Sequence, residues 1–372
     1  MPRLRVLHAS PTWFSPESVI GGGERWVHNV MLALSAGAPE VDQAMVVVGS
    51  RPGLSLHGRT MVRILANERT SRAPMDAISP QLWTEFAGFD LIHVHQSLTD
   101  FGAYACCVAA SLGKTLVTTD LGGGSNPVML EGGLSMSDGI VSISAYAHEM
   151  VASLSRAPHR VMIGPVDTDE FTPAARAPSA PMAICVGRVM PHKGIDRLIR
   201  ALPPGLKLRV VGRVYHETYR ALLGELAVGK DVDFIHDATD GDLVSLYQQS
   251  TVFLQGSCLR DVYGSFAPKT ELMGLTTLEA MASGLPVIVS ADGGSLPELV
   301  TDARFGAVFQ TEEELSAMLR RHQAGLWPPY AATTAARVHA TSHFGLAPYG
   351  RGLAQFYAEV HANRSGRRAC AS

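Results

Sequence analysis

Short apolar, β-branched runs recur along the chain, separated by segments with helical spacing. The runs that read as strands in the first half are Leu4–Ala9, Ala44–Val48, Met61–Leu65, Asp90–Val94, Thr115–Thr118, Ile140–Ser142 and Val161–Ile163. After a gap come Ala183–Val186, Lys207–Val211, Val232–Ile235, Val252–Leu254, Val287–Ser290 and Ala307–Phe309. Between most of them apolar residues fall at 3.6-residue spacing, as in Trp26–Leu34 and Asp196–Leu202. Strand–helix alternation of this kind predicts an α/β fold with parallel sheets covered on both faces. The stretch Asp167–Pro181 breaks the rhythm with three prolines and several small residues, and reads as a linker. The expected organisation is one domain over 1–166, a linker over 167–181 and a second domain over 182–345. Residues 346–372 are expected to add a helix, Pro348–Ala362, that packs back on the first domain, and a polar tail from Asn363 that frays. Open parallel sheets bind ligands beyond the carboxyl ends of their strands. Two such sheets facing across a cleft could hold a donor and an acceptor.

Composition narrows the class. A chain of 372 residues suits two domains, and 46% hydrophobic with 17% charged residues excludes a disordered chain. With 31 basic and 34 acidic side chains the net charge is −3, so nothing calls for a nucleic-acid partner. The five cysteines are odd in number and form no Cys-x-x-Cys pair, which suits reduced thiols rather than a disulfide frame or zinc site. Met1–Ser10 reads as a strand and makes a poor signal peptide. No apolar run approaches 18 residues. A cytoplasmic protein is expected, with peripheral membrane contact and oligomeric state left open.

The candidate chemistry lies in loops that follow strands. The strongest signal is Glu271-Leu-Met-Gly-Leu-Thr-Thr-Leu-Glu279 with the following Ala280-Met-Ala-Ser-Gly284-Leu-Pro286. Gly274 permits a tight turn, Thr276 is a candidate N-cap, and free amides of Gly274, Leu275 and Thr276 at a helix start suit a phosphate. Glu271 could reach sugar hydroxyls, and Glu279 a ribose diol. The plain alternative is a capping box of Thr276 and Glu279. The second signal is Gly187-Arg188-Val-Met-Pro-His-Lys193-Gly194. Two cations at a helix start oppose the macrodipole unless an anion such as pyrophosphate neutralises them; the plain alternative is a solvated loop. The third is Gly21-Gly22-Gly23-Glu24, where glycines let backbone approach a ligand. It is no dinucleotide fingerprint, because Ala44–Val48 is followed by Gly49-Ser50 with no acid for a ribose, which argues against an NAD enzyme. His93-Val94-His95 puts two imidazoles on one strand face with no obvious third metal ligand nearby. Thr118-Thr119-Asp120-Leu121-Gly122-Gly-Gly124 follows another strand, either lining a cleft or forming a turn.

Together these residues resemble the GT-B-fold glycosyltransferase family 4. The family's Glu-x7-Glu and Ala-Met-Ala-x-Gly-x-Pro-Val stretch is similar to Glu271, Glu279 and Ala280–Val287. Its Gly-Arg-x-x-x-x-Lys-Gly motif is similar to Gly187, Arg188, Lys193 and Gly194, and its early glycine loop to Gly21–Glu24. Asp292-Gly293-Gly294 and Pro297-Glu298 resemble its Gly-Gly-x-x-Glu region. The resemblance implies two Rossmann-like domains and retaining, front-face transfer of a sugar from a nucleotide sugar to a hydroxyl of a saccharide, lipid-linked or small-molecule acceptor. It implies donor binding by Gly22, Gly23, Arg188, Lys193, Glu271, Gly274, Leu275, Thr276 and Glu279. No metal is implied, because Arg188 and Lys193 would stabilise the leaving diphosphate. A UDP-sugar is expected ahead of a GDP-sugar. Many members carry a loop histidine where this chain has Asp120 and Leu121, so Asp120 or, failing it, His95 is the candidate group for the acceptor proton, beside Glu271. The loop Ser257–Thr270 is longer than in many members. The other functions to weigh are a scaffold partner of another transferase and a nucleotide-sugar epimerase.

Overall fold

In the computed structural model the chain forms two compact units, Met1–Pro165 with Leu346–Ser372, and Val166–Gly345. The described residues are 3–14, 21–57, 60–69, 74–122, 133–176, 178, 180–327 and 332–369.

The first unit is built on a sheet of eight strands: β1 (Arg5–Ser10), β2 (Asp42–Gly49), β3 (Gly53–His57), β4 (Thr60–Ala66), β5 (Leu91–His95), β6 (Thr115–Thr119), β7 (Gly139–Ser142) and β8 (His159–Val161). Their order is β3-β4-β2-β1-β5-β6-β7-β8. All pairings are parallel except β3 with β4, so the expectation of a purely parallel sheet needs correcting here. The sequence reading missed β3 because its glycine, serine and histidine break the apolar pattern. It sits at the sheet edge, where Leu54 and Leu56 stay exposed. Strand β8 lies two residues earlier than expected, in register with β7 through Ile140↔His159 and Ser142↔Val161.

Alternation along the central strands sorts the two faces. Leu7, Ala9, Ile92 and Val94 join Phe101, Ala105 and Val108 of the helix Asp100–Ser111 in one apolar cluster. His8, His93 and His95 turn to the opposite face, where Trp26 of the helix Gly22–Gly37 and Tyr357 of the helix Leu346–Ala369 meet them. These two helices pack against each other within this unit. The last helix runs on to Ala369, so Asn363 begins no frayed tail. His361 meets Thr115 at 2.8 Å and Arg364 pairs with Asp138, which ties its last turns to the sheet. Cys370–Ser372 lie outside the described residues.

The second unit holds six parallel strands: β9 (Met182–Val186), β10 (Lys207–Val211), β11 (Val232–Ile235), β12 (Val252–Gln255), β13 (Val287–Ser290) and β14 (Gly306–Phe309), in the order β11-β10-β9-β12-β13-β14. Strands β12 and β13 are buried at every position, as parallel strands covered on both faces must be. The proline-rich stretch 167–181 belongs to this unit rather than standing between domains. Arg337 explains why: it donates to the carbonyls of Thr168 and Phe171, both at 2.6 Å, while the Phe171 ring is buried. Prolines broke the helix–strand pattern here without detaching the segment.

Candidate functional site

The two strongest motifs meet at the carboxyl ends of β9 and β12. After β9 the chain passes Gly187 and Arg188, makes a single turn at Pro191–Lys193, and enters the short helix Ile195–Ala201. Gly194 joins turn and helix with φ of 59°, and a Cβ there would stand 1.9 Å from the Gly256 carbonyl oxygen. Only glycine lets this turn press against the end of β12. The contact aims Lys193 across the sheet. Its Nζ lies 2.7 Å from Glu271 Oε2 and 3.1 Å from the Thr270 carbonyl. Arg188 is exposed and lies over the Tyr215 ring at 5.9 Å.

Gln255, the last residue of β12, joins the two halves of the second motif. It donates to Glu271 Oε2 at 2.5 Å and accepts from Thr277 Oγ1 at 2.6 Å. The sequence reading did not single it out, although its place at a strand end marks it. The helix that follows is Leu275–Ala282, with Gly274 as its N-cap at φ 81°. Thr276 is therefore inside the helix, and the capping box considered for Thr276 and Glu279 does not form. Glu279 is buried and takes a hydrogen bond from Tyr247 at 3.1 Å. Leu275 is buried and Thr276 half-buried at the helix start.

His192, between the two cations, is held at a low pKa, about 4, by burial and then by the charges of Lys193 and Arg188. In the helix that follows, Arg197 bonds Ser290 at 3.0 Å and Asp292 at 2.9 Å, so the stretch Asp292-Gly293-Gly294 braces the start of that helix. Three Asp-x-Asp triplets occur in the chain, and each has a local role. Asp231 and Asp233 pair with Lys207, Asp242 caps a helix with Thr239, and Asp167 holds the amides of Asp169 and Glu170.

The first-unit candidates separate. Gly22 and Gly23 open the helix Gly22–Gly37, and a Cβ on Gly23 would meet Gln96 Nε2 at 3.0 Å and Leu121 at 3.8 Å. The glycine loop, the end of β5 and the loop after β6 thus converge. Gln96 is the described non-glycine residue with positive φ, 58°, and had not been singled out. Asp120 is half-buried there and accepts from the Gly122 amide at 3.2 Å. Gly124 lies outside the described residues. His95 does not join this group. It is fully buried against His8, His93 and Trp26, and burial with its histidine neighbours drives its pKa well below the ordinary value. Alternation points it into the layer under the sheet rather than to the strand end, so it is withdrawn as a group for the acceptor proton.

Solved structures share this fold along nearly the whole chain. A sucrose-phosphate synthase from Thermosynechococcus elongatus matches with a TM-score of 0.74 at 19% identity, covering 97% of this chain and 100% of that one. Anabaena HepE, solved in complex with UDP and glucose, matches with a TM-score of 0.73 at 15% identity, covering 96% and 100%. The two parallel-sheet units are those of the GT-B class. Residues 167–322 match the family described as glycosyl transferases group 1. Among curated relatives, a GDP-mannose-dependent alpha-(1-6)-phosphatidylinositol monomannoside mannosyltransferase of Mycolicibacterium smegmatis is 32% identical over 38% of this chain and 41% of its own length. A D-inositol 3-phosphate glycosyltransferase of Mycolicibacterium gilvum is 29% identical over 62% of this chain and 56% of its own. The matched part is thus under two thirds of either relative. No helix among the described residues is long and apolar enough to cross a membrane.

Proposed function

We propose that the chain is a retaining glycosyltransferase that moves a sugar from a nucleotide sugar to a hydroxyl acceptor without a catalytic metal. The observation that carries this is the meeting of two motifs 78 residues apart, at the Lys193–Glu271 contact of 2.7 Å. It puts a cationic turn, a helix start with free amides and a carboxylate around one spot, which suits a diphosphate with a sugar attached. Arg188 and Lys193 take the diphosphate and stabilise it as it leaves. Amides of Gly274, Leu275 and Thr276 add to the phosphate site. Glu279 serves the ribose and Glu271 the transferred sugar. Gly22 and Gly23, in the first unit, leave the backbone there open to a ligand, and Asp120 assists the acceptor hydroxyl. The acceptor class is a saccharide or lipid-linked intermediate, in keeping with the phosphatidylinositol mannoside and inositol phosphate in the relatives' names. The donor base is proposed as uracil, with guanine the competitor that the GDP-mannose-dependent relatives bring.

A thermal-shift screen of UDP- and GDP-sugars, run with EDTA present, tests the reading, because a ligand that binds the folded chain raises its melting point by mass action. One series should raise it. No shift with any nucleotide sugar, or a shift that needs added Mg²⁺ or Mn²⁺, would count against it.

A further inference from the structure

Three histidines from two neighbouring strands meet inside the first unit. Parallel pairing of β1 with β5 sets His8 beside His93, and alternation brings His95 to the same face. All three are fully buried. One ring nitrogen from each lies within 4.8 Å of those of the other two. His8 Nδ1 and His95 Nε2 stand 3.0 Å apart, and the His93 and His95 ring centroids 4.1 Å. The transfer reaction proposed above uses none of them.

Packing alone does not explain three imidazoles here. A neutral imidazole has one donor and one acceptor nitrogen. The His8–His95 contact uses one of each. Of the nitrogens left over, His95 Nδ1 is buried with no hydrogen-bond partner, and His8 Nε2 has none at full hydrogen-bond distance, although Gln43 acts on the His8 ring. Each such atom costs roughly 1–3 kcal/mol, which leucine or phenylalanine would avoid. His93 is held differently. Its Nδ1 meets the Tyr357 hydroxyl at 2.6 Å, and its Nε2 meets Thr119 Oγ1 at 2.8 Å. The Nδ1 contact with Tyr357 is the kind of second bond by which proteins orient a histidine that ligates a metal, and Nε2, now bonded to Thr119, would turn to the ion.

We propose that His8, His93 and His95 form an enclosed binding site for a transition-metal ion of the zinc class. Imidazole suits zinc, copper and nickel, whereas calcium and magnesium demand oxygen ligands. No carboxylate joins the cluster among the described residues. Zinc–nitrogen bonds near 2.0–2.1 Å bring tetrahedral ligand atoms to ~3.3 Å from one another. The His8–His95 pair is already that close, and His93, whose ligand nitrogen lies within 4.8 Å of the other two, would draw in by up to ~1.5 Å. The fourth position would fall to Thr119 Oγ1, which lies 2.8 Å from His93 Nε2. On binding, the hydrogen between His8 and His95 moves to the outer nitrogen of its own ring. Each imidazole stays neutral, and no net proton is released. The ion would pin β1 to β5 and, through Tyr357, to the last helix, so its role is structural. It is separate from the donor site of the second unit, for which no metal is invoked.

Because the cluster is closed to solvent, loading is tested through refolding. The wild-type chain is unfolded in guanidinium and refolded by dilution with either zinc sulfate or EDTA, then desalted. The zinc sample should carry stoichiometric zinc by mass spectrometry and melt at least roughly 5 °C higher than the EDTA sample. A cobalt-refolded sample should show the visible absorption of four-coordinate cobalt. His8→Gln and His95→Gln, where circular dichroism shows them folded, should lose both the metal and the shift. The proposal is overturned if the wild-type zinc and EDTA samples carry the same metal or melt alike. It is equally overturned if both folded variants keep the full zinc content. Should either variant fail to fold, the wild-type comparison alone decides.

Discussion

On the proposed assignment, Glu271 and Lys193 should make opposite contributions to binding of a free nucleoside diphosphate, and the sign can be measured. Lys193 Nζ pairs with Glu271 Oε2 at 2.7 Å, with both side chains mostly shielded from water, at 14% and 16% exposure. A diphosphate has to share that ammonium with the carboxylate. Lys193→Ala removes a charge-assisted contact of about 1.5–3 kcal/mol, so UDP or GDP affinity should fall roughly 10- to 150-fold. Glu271→Gln keeps the shape and a hydrogen-bonding oxygen but deletes the competing charge. A phosphate charge about 6 Å from that carboxylate is repelled by about 3 kcal/mol at an effective dielectric of 20. Solvent at a partly open site cuts this to about 1–2 kcal/mol, or roughly 5- to 30-fold tighter binding of the diphosphate. Gln255 and Ser257 remain to hold the new amide, at the 2.5 Å and 3.5 Å positions they occupy against Glu271 Oε2. The intact sugar donor should behave differently, because Glu271 is assigned to the sugar: its turnover should drop in the same variant. The assay is titration calorimetry with UDP and GDP in EDTA, after circular dichroism has shown each variant folded. If Glu271→Gln weakens the free diphosphate as much as Lys193→Ala does, the division between sugar and phosphate is wrong.

Gly194→Ala should destabilise the second unit by roughly 2–4 kcal/mol, since the new Cβ combines positive φ with a carbonyl contact, and denaturant midpoints will measure it; wild-type stability would show that the turn shifts freely. His192 supplies a pH signature. Its pKa of about 4 lies below the ordinary 6.5, so the unfolded chain binds the extra proton and stability is lost as pH falls from 6.5 toward 4. Burial lowers the value most, Lys193 and Arg188 lower it further, and Glu271 and Asp261 oppose them, and His192→Gln should flatten that part of the melting-point profile between pH 7.5 and 5. An identical slope in both proteins would remove His192 from the site's electrostatics. Asp120→Asn keeps the oxygen that accepts from the Gly122 amide, so fold and donor binding should hold while transfer falls by roughly 10²–10⁴-fold, the range of a general base; wild-type transfer rates would reduce Asp120 to a turn residue.

Most strands were readable because parallel strands covered on both faces are continuous apolar runs, as Val252–Leu254 and Val287–Ser290 show. Strand β3 was not, because an edge strand carries little apolar pattern and its pairing depends on a neighbour. The stretch 167–181 misled for a related reason. Prolines signal the end of regular structure, but attachment there comes from Arg337, 166 and 169 residues from the carbonyls it holds. At the site, Lys193, Glu271 and Gly274 were legible from motif spacing, and their meeting follows from the β9–β12 pairing. Gln255, Gln96 and Tyr247 were not, since single polar residues at strand ends or in helices carry no spacing signal. His95 was misread because strand position was weighed above strand face. His8 was invisible as a partner of His93, for only the register of β1 against β5 brings residues so distant in sequence side by side.

The most direct measurement is proton NMR of the sugar's anomeric position during turnover. Wild-type protein is incubated in EDTA with whichever nucleotide sugar gives the thermal shift, and with candidate saccharide and inositol-phosphate acceptors. A product with the donor's anomeric configuration, formed together with free nucleoside diphosphate, is the expected result. A product of inverted configuration, an epimerised donor, or a donor that binds and is never consumed with any acceptor would contradict retaining glycosyl transfer.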